Sequence, residues 1–351
     1  MPAEGGGPRR ARRRALAALA GAASGLVPGP DAARAADRPP PGVPGTPAPS
    51  APPARGDTHP FAFGLIGDLP YTETGEPDAA ALIDALGAEP LALVIHVGDL
   101  KGGRESCSDA LLARRHAILA RSAHPLVLLP GDNEWTDCHR LLAGGFDPLE
   151  RLAALRARFW SDPSPLGARG DAARTAYAFE RQRGQPENVR WRIGPVRFAG
   201  LHVVGSGNGR DGFEGARASF AERRDRNRAW LRETVRTALA ERADALVIAA
   251  HADPDFERAT PRAGFTDWIA DLRDAADAFP RPILVLHGDS HRFRADRPLA
   301  DRTGRRYAHV TRVECFGWPF TASWVRIDYD PRDPARFRVA TRELAPARPR
   351  A

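Results

Sequence analysis

The chain has 351 residues, with 51 basic and 44 acidic side chains, a formal net charge of +7, 33 Gly, 33 Pro and 3 Cys. At 27% charged and 42% hydrophobic residues its composition is that of a folded globular protein, which excludes a wholly disordered, collagenous or multi-span membrane chain. The basicity does not point to nucleic acid: Lys101 is the single lysine, so the excess reflects a bias toward arginine, and six arginines in residues 1–35 against Glu4 and Asp31 supply +4 of the +7.

Arg9 to Arg14 form a basic stretch, Ala15 to Val27 an apolar run of 13 residues, and Ala33-Arg34-Ala35 a small-x-small pattern ahead of Ala36. This is the layout of an export signal over residues 1–35. As a helix the run would cover roughly 20 Å, short of a hydrocarbon core of roughly 30 Å, so no stable membrane span is expected. Its weak hydrophobicity behind paired arginines is similar to a twin-arginine signal, and the expected location is periplasmic or extracellular. Residues 36–60 are dense in proline (RPPPGVPGTPAPSAPPARG) and read as a stiff linker. Residues 61–345 have the length of one large α/β domain, without an internal repeat.

Short apolar runs alternate with amphipathic stretches along that domain. Phe61 to Gly67, Leu91 to Gly98 and Pro125 to Gly131 are expected strands buried on both faces, with helices over Pro77 to Gly87 and Ser108 to Arg121 between them. This βαβαβ order implies a parallel core with right-handed crossovers. A helix over Asp147 to Trp160 and a hairpin over Arg190 to Val204, turning at Gly194-Pro195, follow. Two more buried strands, Ala245 to Ala250 and Pro282 to Leu286, alternate with helices over Ser219 to Arg242 and Phe265 to Phe279. The tail segments Arg306 to Glu314, Ala322 to Asp330 and Arg336 to Leu344 read as antiparallel strands.

Acids and histidines stand directly after the buried strands. Six Gly-Asp pairs occur, against about three expected by chance from 33 Gly and 28 Asp in 351 positions, and four of the six close an apolar strand. Glycine lets the chain turn sharply there, and the next carboxylate points into the crevice where ligands of α/β sheets bind. One such aspartate alone reads as a helix cap. Asp68, Asp99, Asp132, His251, Asp289 and His291, arriving from five strand ends, read as a metal-ligand set.

The stretches Gly67-Asp68-Leu69-Pro70, Gly98-Asp99-Leu100-Lys101, Gly131-Asp132-Asn133-Glu134, His251 and Gly288-Asp289-Ser290-His291 resemble, in order and context, the calcineurin-like metallophosphoesterase family. The resemblance spans roughly residues 61–295 and implies a four-layer α/β/β/α sandwich around a two-metal centre. It makes Asp99 the bridging carboxylate, with Asp68 and His291 on one metal and Asp132, His251 and Asp289 on the other. Pro70 stands where the family has a histidine ligand, Asp132 replaces an amide, Asp289 replaces a histidine, and Asn133 replaces the histidine that assists the leaving group. Asn cannot supply a proton. His139 and Arg140, a few residues further on, are the candidates for acid and phosphate clamp.

Four aspartates contribute about −4, enough to neutralise two divalent ions. Carboxylate in place of imidazole favours harder ions, so one or two divalent metals are expected, with Mn or Fe preferred over Zn. The implied reaction is attack of a metal-bound hydroxide on the phosphorus of a small phosphorylated substrate. A nuclease is not favoured, because no aromatic-basic alternation tracks a nucleic-acid strand. The departures at Pro70 and Asn133 motivate an alternative, a non-catalytic relative that binds metal or a phosphorylated ligand. Cys107 and Cys138, after the second and third strands, can pair if those strands are neighbours, leaving Cys315 buried. His96 and His202 read as core histidines, His287 as another core histidine or, being nearer the site, a group behind the ligands or a substitute ligand, and Tyr71 and Trp135 as pocket walls or packing. Arg210, Arg223 and Arg224 are candidates for the pocket mouth.

Overall fold

The computed structural model describes residues 59–344. The export signal and nearly all of the proline-rich linker lie outside the described residues. Among those described, no helix is long and apolar enough to cross a membrane.

The strands are β1 (Phe61–Ile66), β2 (Val94–His96), β3 (Leu126–Leu128), β4 (Glu180–Gln182), β5 (Gln185–Ile193), β6 (Val196–Gly200), β7 (Ala245–Ala249), β8 (Ile283–His287), β9 (Arg294–Asp296), β10 (Val310–Glu314), β11 (Ser323–Tyr329) and β12 (Phe337–Glu343). The helices are α1 (Glu76–Leu86), α2 (Asp109–Ala120), α3 (Pro148–Phe159), α4 (Gly170–Ala176), the short turn α5 (Gly205–Asn208), α6 (Ala216–Ala240) and α7 (Thr266–Ala278). One sheet has the order β12-β11-β1-β2-β3 and the other β4-β5-β6-β7-β8-β10-β9.

Period-2 alternation assigns each strand residue to a layer. Phe63 and Leu65 of β1 face Trp191, Phe198, Val247 and Leu286 in the space between the sheets, where Trp191 and Phe198 stack at 4.9 Å. Ala62 and Ile66 face the other way, onto Leu82 and Ile83 of α1 and Leu112 of α2. On the far side, Leu246 and Ile248 of β7 pack under Trp230 and Leu231 of α6 and Ile269 and Leu272 of α7. This is the four-layer α/β/β/α order expected from the sequence.

The helix starts follow from their caps. Ser108 Oγ accepts from the Leu111 amide at 3.3 Å at the start of α2, and Asp147 Oδ1 from the Leu149 amide at 2.9 Å at the start of α3. The hairpin turns between β5 and β6 at Gly194-Pro195, as expected. One expectation is corrected: the first tail strand is not antiparallel to its neighbours throughout, because β10 pairs parallel with β8 and antiparallel only with β9. The short β9 takes the chain back along the sheet, so β10 re-enters in the direction of β8.

The parallel strands β1, β2 and β3 of one sheet and β7 and β8 of the other are followed by the candidate ligand loops. Three backbone bonds tie these loops to their neighbours: Asp68 N–H to Gly98 O at 2.9 Å within one sheet, Gly288 N–H to His251 O at 3.0 Å within the other, and Trp318 N–H, from the loop that joins the two sheets, to Asp68 O at 3.0 Å.

Candidate metal centre

Asp68, Asp99, Asp289 and His291 all have left-handed backbones, with φ of 56°, 57°, 77° and 62°. Non-glycine residues adopt this region at a cost of roughly 1–2 kcal/mol each. The turn that imposes it brings each side chain back over the strand ends. The preceding glycines permit the approach: a Cβ on Gly98 would lie 2.5 Å from the Gly131 nitrogen, and one on Gly288 would lie 2.2 Å from Asp68 Oδ2.

The convergence forms two triplets, Asp68 with Asp99 and His251, and Asp132 with His251 and Asp289; the ligand atoms within each lie within 4.8 Å of one another. His251 Nε2 is 3.1 Å from Asp132 Oδ1, 3.4 Å from Asp99 Oδ1 and 3.9 Å from Asp289 Oδ1. The residue common to both triplets is thus His251, with Asp99 beside it. His291 Nε2 lies 3.5 Å from Asp68 Oδ1.

The chemistry of the donor set fits a cation. His251 Nδ1 is 3.0 Å from the Val97 carbonyl and His291 Nδ1 is 2.7 Å from the Trp318 carbonyl, so each Nδ1 carries a proton, and in the neutral ring each Nε2 turns a lone pair toward carboxylates. Lone pairs gathered around lone pairs in a buried space require positive charge. Without an ion the cluster draws protons. Burial disfavours a charged His251, yet Asp99, Asp132, Asp68 and Asp289 together raise its pKa well above the usual value. Burial likewise pushes Asp99 up, and pushes Asp289 up to about 7 against the pull of His251. Asp132 is the exception: hydrogen bonds from His251 and Ser206 overcome its burial and hold it at about 2.

Three residues around the cluster carry more than the sequence indicated. The Tyr71 hydroxyl lies 2.6 Å from Asp99 Oδ2, 2.9 Å from His291 Nε2 and 3.3 Å from Asp68 Oδ1, amid the first group of ligands, on the side where Pro70 offers no donor. Lys101 is fully buried and donates to the carbonyls of Gly102 at 2.9 Å and Asn133 at 2.8 Å, which braces the second ligand loop against the third. Its signal in the sequence was its being the single lysine of an arginine-rich chain. Ser206 Oγ, in α5, donates to Asp132 Oδ2 at 2.6 Å.

Asn133 is buried and turned inward, its amide donating to Asp99 Oδ2 at 2.5 Å and its backbone N–H to Asp99 Oδ1 at 3.0 Å. Arg140 is half exposed, 3.2 Å from Ser206 Oγ and paired with Asp137 at 2.5 Å, so its guanidinium stands at the rim. His139 is not brought to the cluster: it is exposed, its Nδ1 2.7 Å from the Thr136 carbonyl and its ring against Phe213. His96, His202 and His287 are buried. Arg223 is buried as well, holding Asn208 and stacking over Trp135 at 4.9 Å, while Arg210 and Arg224 pair with neighbouring aspartates. Cys107 and Cys138 form a disulfide with Cα atoms 5.8 Å apart, and Cys315 is a buried thiol.

No family model and no curated protein matches the chain. Among solved structures it is similar to a dimetal phosphatase from Danio rerio, at 14% identity and a TM-score of 0.50, over 80% of this chain and 98% of that one. It also matches a purple acid phosphatase from yellow lupin seeds, at 14% identity and a TM-score of 0.42, over 83% of this chain and 55% of that one. A phosphatase from Mycoplasma pneumoniae matches at 11% identity and a TM-score of 0.40, over 82% of this chain and 94% of that one. The likeness to the dimetal phosphatase shows the metallophosphoesterase fold.

Proposed function

We propose that this chain is an exported, metal-dependent phosphoesterase. The observation that carries the reading is the convergence of two imidazole lone pairs and four aspartates, from five strand ends, on one buried space. Bound divalent ions, with Mn or Fe favoured over Zn by the oxygen-rich donors, would supply Lewis acidity for water and a clamp for phosphoryl oxygens. Asp68, Asp99, His291 and the Tyr71 oxygen would hold one ion, and Asp132, His251 and Asp289 would hold the other. The protein's own groups then hold these donors in place. Asn133 and Tyr71 hydrogen-bond to Asp99 and fix its carboxylate, and Ser206 does the same for Asp132. Arg140, at the rim, is the cation available to a phosphoryl oxygen of a small phosphorylated substrate.

Export rests on the leader at 1–35 and the proline-rich segment 36–60 ahead of the domain at 61–345. The Cys107–Cys138 disulfide supports an oxidising compartment. Hydrolysis of p-nitrophenyl phosphate and bis(p-nitrophenyl) phosphate by Mn(II)-loaded protein, lost in Asp99→Asn, tests the activity. Turnover of neither ester with any divalent metal would overturn it. The second reading, binding without turnover, is favoured by Asn133, whose amide is committed to Asp99 and carries no transferable proton. Tight metal and phosphate binding with no hydrolysis would establish it.

A further inference from the structure

Two aromatic side chains stand exposed beside the centre, on the loop that links β10 to β11. Among the described residues six large apolar side chains are exposed, and the two aromatic ones, Trp318 at 47% and Phe320 at 55%, both belong to this loop. The other four are leucines, two of them the adjacent Leu141 and Leu142; only the loop from β10 to β11 sets exposed aromatic rings beside the polar crevice among the described residues.

The loop is fastened to the ligands themselves. Trp318 N–H donates to the Asp68 carbonyl at 3.0 Å, and the Trp318 carbonyl accepts from His291 Nδ1 at 2.7 Å. Gly317 allows this fit, because a Cβ there would lie 2.6 Å from Asp68 Cβ and 2.9 Å from His291 Cδ2. With residue 317 flush against the ligands, the next side chain must rise beside them. The indole lies nearly parallel to the Tyr71 ring, 6.4 Å between centroids at 11°, and the hydroxyl of that same tyrosine sits among the candidate ligands. Phe320 is supported from below by Phe316, which stacks on Phe293 at 5.4 Å.

We propose that Trp318 and Phe320 form the leaving-group subsite of this centre and select esters whose leaving group is a planar aromatic ring. The inference rests on the phosphoesterase reading, since it is the phosphoryl group at the metals that brings the ring to the loop. A flat ring suits the site because the indole is half exposed and fixed through its own backbone, and ring-on-ring contact adds to the burial of apolar area. Trp318 acts here as a specificity-determining residue and takes no part in moving protons.

Calorimetric titration of the Mn(II)-loaded full chain with phenylphosphonate and with methylphosphonate tests this without requiring turnover. The aryl compound is expected to bind roughly tenfold more tightly. In Trp318→Ala the ratio of the two affinities is expected to fall toward one, in Trp318→Phe to stay high, and in Phe320→Ala to fall part of the way. Equal affinities in the unsubstituted protein, or a ratio that survives Trp318→Ala, overturn the subsite and leave the phosphoesterase reading standing. Failure of the unsubstituted protein to bind either phosphonate overturns both.

Discussion

The Tyr71 hydroxyl donates to Asp99 Oδ2 at 2.6 Å, across the loops that follow two neighbouring parallel strands. The same oxygen is 2.9 Å from His291 Nε2, a nitrogen whose lone pair faces it in the neutral ring, in which Nδ1 holds the proton. A phenolic oxygen among two carboxylates and an imidazole lone pair is a ready oxygen donor for a hard cation. Ferric loading is expected to give a visible phenolate-to-iron absorption band that is absent in Tyr71→Phe. Metal affinity, followed by competition with a chelator, is expected to fall at least about tenfold in that variant.

Asp99 accepts hydrogen bonds from Tyr71 and from both Asn133 donors while it crowds His251. Asp99→Asn should lower hydrolysis by at least about a thousandfold. The metal-free variant should unfold at no lower a temperature than the metal-free parent, because one of the mutually repelling carboxylates is gone. Thermal unfolding with and without Mn(II) reads both effects. The stabilisation that metal gives the parent should largely disappear in the variant.

The disulfide links the loop after β2 to the 3-10 turn after β3, and so joins the segments that carry Asp99 and Asp132. Its two cysteines are 31 positions apart, and closing a loop of that length is worth roughly 3 to 4 kcal/mol. Cys107→Ala combined with Cys138→Ala should lower the denaturation free energy by about that amount, measured in urea. Metal affinity should drop with it, since the two ligand loops are then joined only by hydrogen bonds.

His96 accepts the Gly98 N–H on Nδ1 at 3.2 Å and donates from Nε2 to the Leu69 carbonyl at 3.1 Å, a pattern that only the neutral ring can satisfy. Burial lowers its pKa from 6.5 to about 4, the Leu69 carbonyl opposing weakly. The unfolded chain therefore binds more protons than the native one between these values. The contribution of this group is complete above pH 6.5 and is lost as pH falls toward 4, by up to roughly 3 kcal/mol. Urea unfolding across this range should show the slope, and His96→Gln should flatten it.

Among the described residues Arg140 holds Ser206 and Asp137, with half of its side chain exposed. Arg140→Ala should raise KM for a phosphomonoester about tenfold, with a smaller change in kcat, as for loss of a ground-state phosphate contact.

The site was legible where local sequence carries the geometry. Gly67-Asp68, Gly98-Asp99 and Gly288-Asp289 each close an apolar run, and the structure turns each aspartate inward through a left-handed backbone. Tyr71 and Lys101 were less legible because their roles depend on what lies opposite them across the crevice, which no period in the sequence records. The strand β2 is confined to Val94–His96 although the apolar run extends from Leu91 to Val97, since the chain bends at Ala92 before it and at Gly98 after it. The parallel course of β10 was hidden for a related reason: alternation defines the faces of a strand but not its partner. The loop with Trp318 reaches Asp68 from 250 positions away in the chain, and nothing local to either residue announces the other.

The left-handed aspartates also bear on how such a chain would drift if its chemistry were no longer selected. Replacing Asp68 or Asp289 by glycine would relieve both a disfavoured backbone and a share of the charge crowding, so each substitution is a ready gain in stability for a protein with no ion to hold. A sequence relaxed in this way would trade acids for glycine at these turns. This chain carries acids at both turns, where strained backbone and crowded charge both weigh against its metal-free fold.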